Sequence, residues 1–106
     1  MPFQNTTLPQ LTAPGVTAYS KVQPGSIGEY GYKVVIASIN TSLVLRVEYN
    51  NASTGSAISR SEDIAITANG TYIIPIFASE AFSRLNFVSE VGGTAVTVDA
   101  IFQRLY

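Results

Sequence analysis

SLVLRVEY (42–49) alternates without a break: Leu43, Leu45, Val47 and Tyr49 fall on one side, Val44, Arg46 and Glu48 on the other. Successive side chains of a strand point to opposite faces, so this period of two marks a strand with one face in a core and one toward water. Stretches of the same kind lie on both sides of it.

Upstream, YGYKVVIASI (30–39) sets Tyr30, Tyr32, Val34 and Ile36 on one face and Val35, Ala37 and Ile39 on the other. A strand apolar on both faces is expected to be central in its sheet and covered on both sides. VTAYSKV (16–22) is a further expected strand, and QPGSIGE (23–29) a loop by its Pro and Gly content. Downstream, NNASTGS (50–56) reads as a polar turn and AISRSEDIAIT (57–67) as a weakly alternating strand through Ile58, Ile64 and Ile66. Asn69-Gly70 matches a two-residue hairpin turn, whose central residues need positive φ, and is expected to join IAIT to TYIIPIF (71–77). Pro75 has no N–H for a ladder, so TYIIPIF is expected at a sheet edge or at a bulge. ASEAFS (78–83) leans toward helix for one turn at most. RLNFVSEV (84–91) alternates again, with Leu85, Phe87 and Val91 inward and Arg84, Asn86 and Glu90 outward, before a Gly92-Gly93 turn. TAVTVDAIFQRLY (94–106) places Val96, Val98, Ala100 and Phe102 on one face. Its other face mixes Thr97, Asp99 and Gln103 with Ile101 and Leu105, as an edge strand lying against a partner would.

The pattern predicts an all-β fold of about seven to eight antiparallel strands over residues 16–106, arranged as a sandwich or a barrel. No segment is a helix long enough to cross between parallel strands. Residues 1–15 contain Pro2, Pro9 and Pro14 and read as an extended N-terminal arm. That arm is either a frayed end or a segment that docks Phe3, Leu8 and Leu11 on a neighbouring subunit.

Of 106 residues, six are Lys or Arg and seven Asp or Glu, while 46% are hydrophobic. An average domain is about a quarter charged, so this one has too few ionic groups to cover its own surface. A net charge of −1 and six scattered basic residues give no field or patch for nucleic acid. No apolar stretch approaches the ~20 residues of a membrane helix. MPFQNTTLPQLTAPG (1–15) lacks the basic segment and apolar run of a secretory signal, so synthesis and folding in the cytoplasm are expected.

There is no His, Cys or Trp. Imidazole acid–base chemistry, thiol nucleophiles and a Ser-His-Asp triad are excluded with them. Gly25, Gly28 and Gly31 precede a strand and no GKS/T follows, so they form no phosphate loop. None of the seven acids sits in an apolar context that would raise its pKa, and no catalytic residue is assigned. Glu62 and Asp63 are adjacent and expected on opposite faces, so no metal site or cofactor is expected. Tyr30 and Tyr32 share a face and are either a sugar-stacking platform or core aromatics.

From Thr41 onward, TSLVLRVEY (41–49), IAITANGTY (64–72), RLNFVSEVGGTA (84–95) and VTVDA (96–100) resemble small all-β proteins encoded by tailed bacteriophages. Capsid cement and decoration proteins are among them. Where similar sequences often carry a Ser-Asp-Gly loop followed by Trp, this chain has NNASTGSAIS (50–59), so no ligand role is carried over to that loop. The resemblance implies a single antiparallel β-sandwich, jelly-roll-like, and a non-enzymatic capsid cement or decoration protein of the virion, with the major capsid protein as partner and a homo-oligomeric state, trimer or dimer. A tail or fibre component and a carbohydrate-binding module are the alternatives. The candidate partner interface is Phe3, Leu8, Leu11, Ile101, Leu105 and Tyr106.

Overall fold

Segments of period two become strands where a second such segment can satisfy their backbone. A computed structural model describes residues 5–22, 30–76, 80–92 and 95–104, the side chains of Asn5 and Arg104 excepted. In chain order the strands are β1 (Asn5–Thr7), β2 (Gly15–Val16), β3 (Ser20–Lys21), β4 (Tyr30–Ala37), β5 (Ser42–Asn50), β6 (Ser59–Arg60), β7 (Ile64–Ile66), β8 (Gly70–Pro75), β9 (Phe82–Val91) and β10 (Thr97–Arg104). The described residues contain no helix.

The first sheet has the order β1-β10-β4-β8, the second β2-β9-β5-β6, with β3 also on β9 and β7 also on β5. All pairings are antiparallel. β9 pairs along its whole length with β5, so β2 and β3 are two pieces of one track on its other edge. β6 and β7 likewise share one track along β5. Counted as tracks in chain order, the sheets run 1-8-3-6 and 2-7-4-5, which is the winding of a jelly roll. The expected antiparallel β-sandwich is therefore the fold.

The core lies between the two inner faces. Leu43, Leu45, Val47 and Tyr49 of β5 and Leu85 and Phe87 of β9 meet Tyr30, Tyr32, Val34 and Ile36 of β4 and Val98, Ala100 and Phe102 of β10, all buried. Phe102 stacks on Tyr30 (centroids 5.5 Å apart) and meets Tyr32 at a tilt (5.4 Å), an arrangement suited to ring quadrupoles. The Tyr32 hydroxyl shares a 2.9 Å hydrogen bond with Ser83 Oγ of β9 and so ties the two sheets together through the core. Burial pushes that hydroxyl well above the ordinary tyrosine range, so it stays protonated.

Several local expectations change in the folded chain. Residues 16–22 split into β2 and β3, because one extra residue slips in between Val16, opposite Asn86, and Ser20, opposite Ser83. Thr17 fills the break: its N–H donates to the Leu85 carbonyl and its Oγ1 accepts from the Leu85 N–H, both at 3.0 Å. Asn69-Gly70 does not make a hairpin. β7 belongs to the second sheet and β8 to the first, so this turn carries the chain across the core. Gly70 takes φ 151°, and Asn69 Oδ1 accepts from the Ile39 N–H (2.8 Å), holding the crossing against the link between β4 and β5.

In β9 a bulge places Ser89 opposite Val44 but Phe87 opposite Leu45, leaving Val88 unpaired. The extra residue reverses the alternation beyond it. Glu90 then shares the face of Leu43, and Val91, expected inward, is 57% exposed. Phe82 and Ser83, expected in a helical turn, begin β9. β8 is an edge strand, one of the two places expected from Pro75.

β10 was expected at an edge, but β1 covers that side. Residues 5–15, expected as an arm apart from the sandwich, are built into it. Leu8 N–H donates to the Ala100 carbonyl (3.0 Å), and Leu11 exchanges backbone bonds with Val98 (2.9 and 2.8 Å). The loop 23–29, Phe3, Gly93, Leu105 and Tyr106 lie outside the described residues.

Candidate functional site

A sandwich has two outer faces, and here they differ in chemistry. On the second sheet, Arg46 and Glu48 of β5 and Arg84 and Asn86 of β9 project outward. Arg84 Nε donates to Glu48 Oε1 (2.8 Å) and Asn86 Nδ2 to Glu48 Oε2 (2.9 Å). Arg46 Nε donates to Asp63 Oδ1 (2.7 Å), which Arg60 also approaches (3.4 Å). The Arg84 guanidinium lies 4.8 Å from the centre of the Tyr19 ring, a cation–π contact, and the Tyr19 hydroxyl donates to the Gly55 carbonyl (2.9 Å).

Burial alone would push the Glu48 carboxyl up. The hydrogen bonds from Asn86 and Arg84, with the charges of Arg84 and Arg46, outweigh it and hold Glu48 below the usual carboxylate range. The hydrogen bond from Arg46 holds Asp63 low as well. These two acids are thus stabilised as anions, the opposite of a proton donor kept neutral near pH 7. Two open depressions flank this network, about 410 Å³ beside Arg60–Asp63 and about 290 Å³ beside Glu48 and Ala57–Arg60. Arg60 and Asp63 of the first pair with each other, and Glu48 of the second is held by Arg84 and Asn86.

The outer face of the first sheet is built otherwise. The ladder aligns Ile73 of β8, Lys33 of β4, Ile101 of β10 and Thr7 of β1 in one row across the sheet. The next row is Thr71, Val35 and Asp99. Val35 is therefore the diagonal neighbour of both Ile73 and Ile101, about 7–8 Å between Cα atoms in such ladders. Val35 is 39% exposed and Ile73 53%. Ala37 and Pro75 extend the face and are exposed too, and Ile101 is half-buried. Lys33 and Asp99 are the ionic side chains on this face among the described residues. Asp99 accepts from Gln10 Nε2 (3.0 and 3.2 Å). Lys33 stands between two isoleucines, where its methylene stem adds to the apolar surface.

The sequence reading required a cover for both faces of β4. Among the described residues the chain supplies one, the second sheet. Val35, Ala37 and Ile73 remain open to a partner. This face is the candidate site, and a flat sheet surface of this kind fits protein contact better than a small molecule.

Of the six expected interface residues, the structure places three. Ile101 lies on the candidate face. Leu8 is 7% exposed and packs in the chain's own core, and Leu11 packs against that core, so neither side chain stands ready for a neighbour. Their spacing resembled an arm because strand β1 is too short to show a period. Phe3, Leu105 and Tyr106 fall outside the described residues. Val35 and Ile73 were not assigned to a site. Their signal was present in consecutive apolar residues of KVVIA (33–37) and YIIPI (72–76), which no single buried face can absorb. Tyr30 and Tyr32 are 3% and 0% exposed, which overturns the sugar-stacking platform.

Comparison with protein-family models, with curated proteins and with solved structures finds no match.

Proposed function

We propose that this chain is a non-enzymatic structural protein of a virion, a capsid cement or decoration protein of a tailed bacteriophage. It stabilises the shell by seating the outer face of its first sheet on the major capsid protein. The observation that carries the reading is the contrast between the two outer faces. The second sheet's outer face carries a network of paired charges around Glu48 and Asp63, while the first presents Val35, Ile73 and Ile101 beside Lys33 and Asp99. Interface cores are depleted in charge, and apolar contact contributes about 25 cal/mol per Å² before the costs of association. The jelly-roll fold is common among viral capsid and lectin domains, but a fold alone selects no function. The setting in a phage virion rests on the sequence resemblance from Thr41 onward.

The test has two parts. Mass spectrometry of purified virions should count this chain at a fixed ratio to the shell protein. Val35→Lys places a cation in the centre of the face, opposite Asp99, where the isolated fold tolerates it. It should reduce attachment to stripped capsids at least tenfold with little change in melting temperature. Absence from virions, or attachment of the variant at wild-type strength, refutes the proposal.

A further inference from the structure

We infer that β8 is a self-recognition edge: two copies of the chain pair β8 to β8, antiparallel about a two-fold axis, and join their first sheets into one. The inference stands on the phase of the β4–β8 ladder and not on the virion reading. Ile76 N–H donates to the Tyr30 carbonyl (2.9 Å), continuing a ladder in which Ile74 opposes Tyr32 and Tyr72 opposes Val34. Hydrogen-bonded pairs alternate along an antiparallel ladder. The even-numbered residues of β8 therefore bond to β4, and Thr71, Ile73 and Pro75 turn their backbone groups to the free edge. β8 has one partner strand among the described residues.

Pro75 thus sits where its missing N–H costs the fold nothing. Thr71 and Ile73 offer two N–H groups and two carbonyls outward, unbonded within the sheet. The antiparallel register that satisfies all four in both copies sets Thr71 opposite the second copy's Ile73 and places Tyr72 on the two-fold axis. Shifting the two-fold onto Ile73 sets Thr71 against the proline of the other copy and leaves its carbonyl without a donor. A two-fold contact must be self-complementary, and this edge is.

The side chains agree. GTYIIP (70–75) carries no ionic group, and Pro75, its one edge-blunting residue, lies outside the Thr71–Ile73 bonded pairs of this register. Two copies meet without like-charge repulsion, with Thr and Ile as cross-strand neighbours on the outer face. The Val35, Ile73 and Ile101 surfaces of both copies then lie on one continuous sheet face. Six-residue strands are about 20 Å long, and their pairing buries less than the ~1,000 Å² of a durable interface. The dimer is therefore reversible, with half-association at roughly tens to hundreds of micromolar.

Amide hydrogen exchange of the native chain, followed by NMR across a concentration series beside sedimentation equilibrium, tests this. The Thr71 and Ile73 amides should exchange rapidly in dilute protein and gain protection of tenfold or more as the dimer forms, while the Ile74 amide stays protected throughout. Ile73→Pro deletes an outward N–H that the fold does not use, so it should weaken dimerisation at least tenfold with the circular dichroism spectrum kept. The chain has no cysteine, so oxidised Tyr72→Cys should give a covalent dimer, its Cα atoms about 4.5 Å apart in the central non-hydrogen-bonded pair. Dimerisation without protection at Thr71 and Ile73, or a strictly monomeric chain at millimolar concentration, overturns the inference.

Discussion

The hydrogen bond between Tyr32 and Ser83 is the most direct probe of how the two sheets are registered. Tyr32 belongs to β4 and Ser83 to β9, both are 0% exposed, and their oxygens lie 2.9 Å apart. Ser20, also buried, sits beside the same hydroxyl. Tyr32→Phe keeps the ring against Phe102 and removes one oxygen. The Ser83 hydroxyl is then left in a dry core without its partner, which costs about 1–3 kcal/mol. In a chain of this size, 1 kcal/mol lowers the melting temperature by about 4–8 °C, so a drop of about 4–24 °C is expected. Ser83→Ala should cost a comparable amount. The double variant should cost less than the two single ones together, by about 1 kcal/mol, because removing both partners leaves nothing unsatisfied. Urea unfolding followed by far-ultraviolet circular dichroism gives all three values, since the chain has no tryptophan to report. A wild-type melting temperature for Tyr32→Phe, or strict additivity of the pair, would refute the reasoning that this bond fixes the sheet-to-sheet register.

Acid should destabilise the fold through the second sheet. Glu48 and Asp63 have pKa values below their unfolded values, so their contribution is complete above about pH 4.5 and is lost as pH falls through the folded values. Melting temperature should hold between pH 7 and 5 and fall below about pH 4. Glu48→Gln should flatten that fall while costing about 1–3 kcal/mol at pH 7, and a melting temperature that rises on acidification would contradict the assignment. At the N-terminus, Leu8→Ala should cost about 2–3 kcal/mol, because it empties a buried site between strand tracks. Unchanged stability in chemical denaturation, with capsid attachment lost, would return residues 1–15 to the role of a docking arm.

Period two is a local property, and it carried the fold class. The inward sets of β4, β5 and β10 were legible residue by residue, because each alternates long enough to overrule chance. The proline in TYIIPIF limited β8 to an edge or a bulge, and the sheet order decides for the edge. Where the reading failed, the cause lay beyond the segment. Val91 points outward because of an unpaired residue at position 88, which only the pairing with Leu45 reveals. Asn69-Gly70 crosses between sheets because Ile66 and Ile74 pack from opposite layers of one core, a fact no turn signal encodes.

The amino-acid order by itself therefore determined that the fold is built of antiparallel strands, which side chains of β4, β5 and β10 face inward, and that the chain is short of charge. Tertiary structure alone decided which segments became neighbours: that residues 5–11 close the sheet beside β10, and that Arg46, Glu48, Asp63 and Arg84 gather in one paired network on the second sheet. Alternation is set by the geometry of one strand, whereas burial and partnership depend on segments far away in the chain, whose return to a given face is a property of the whole winding.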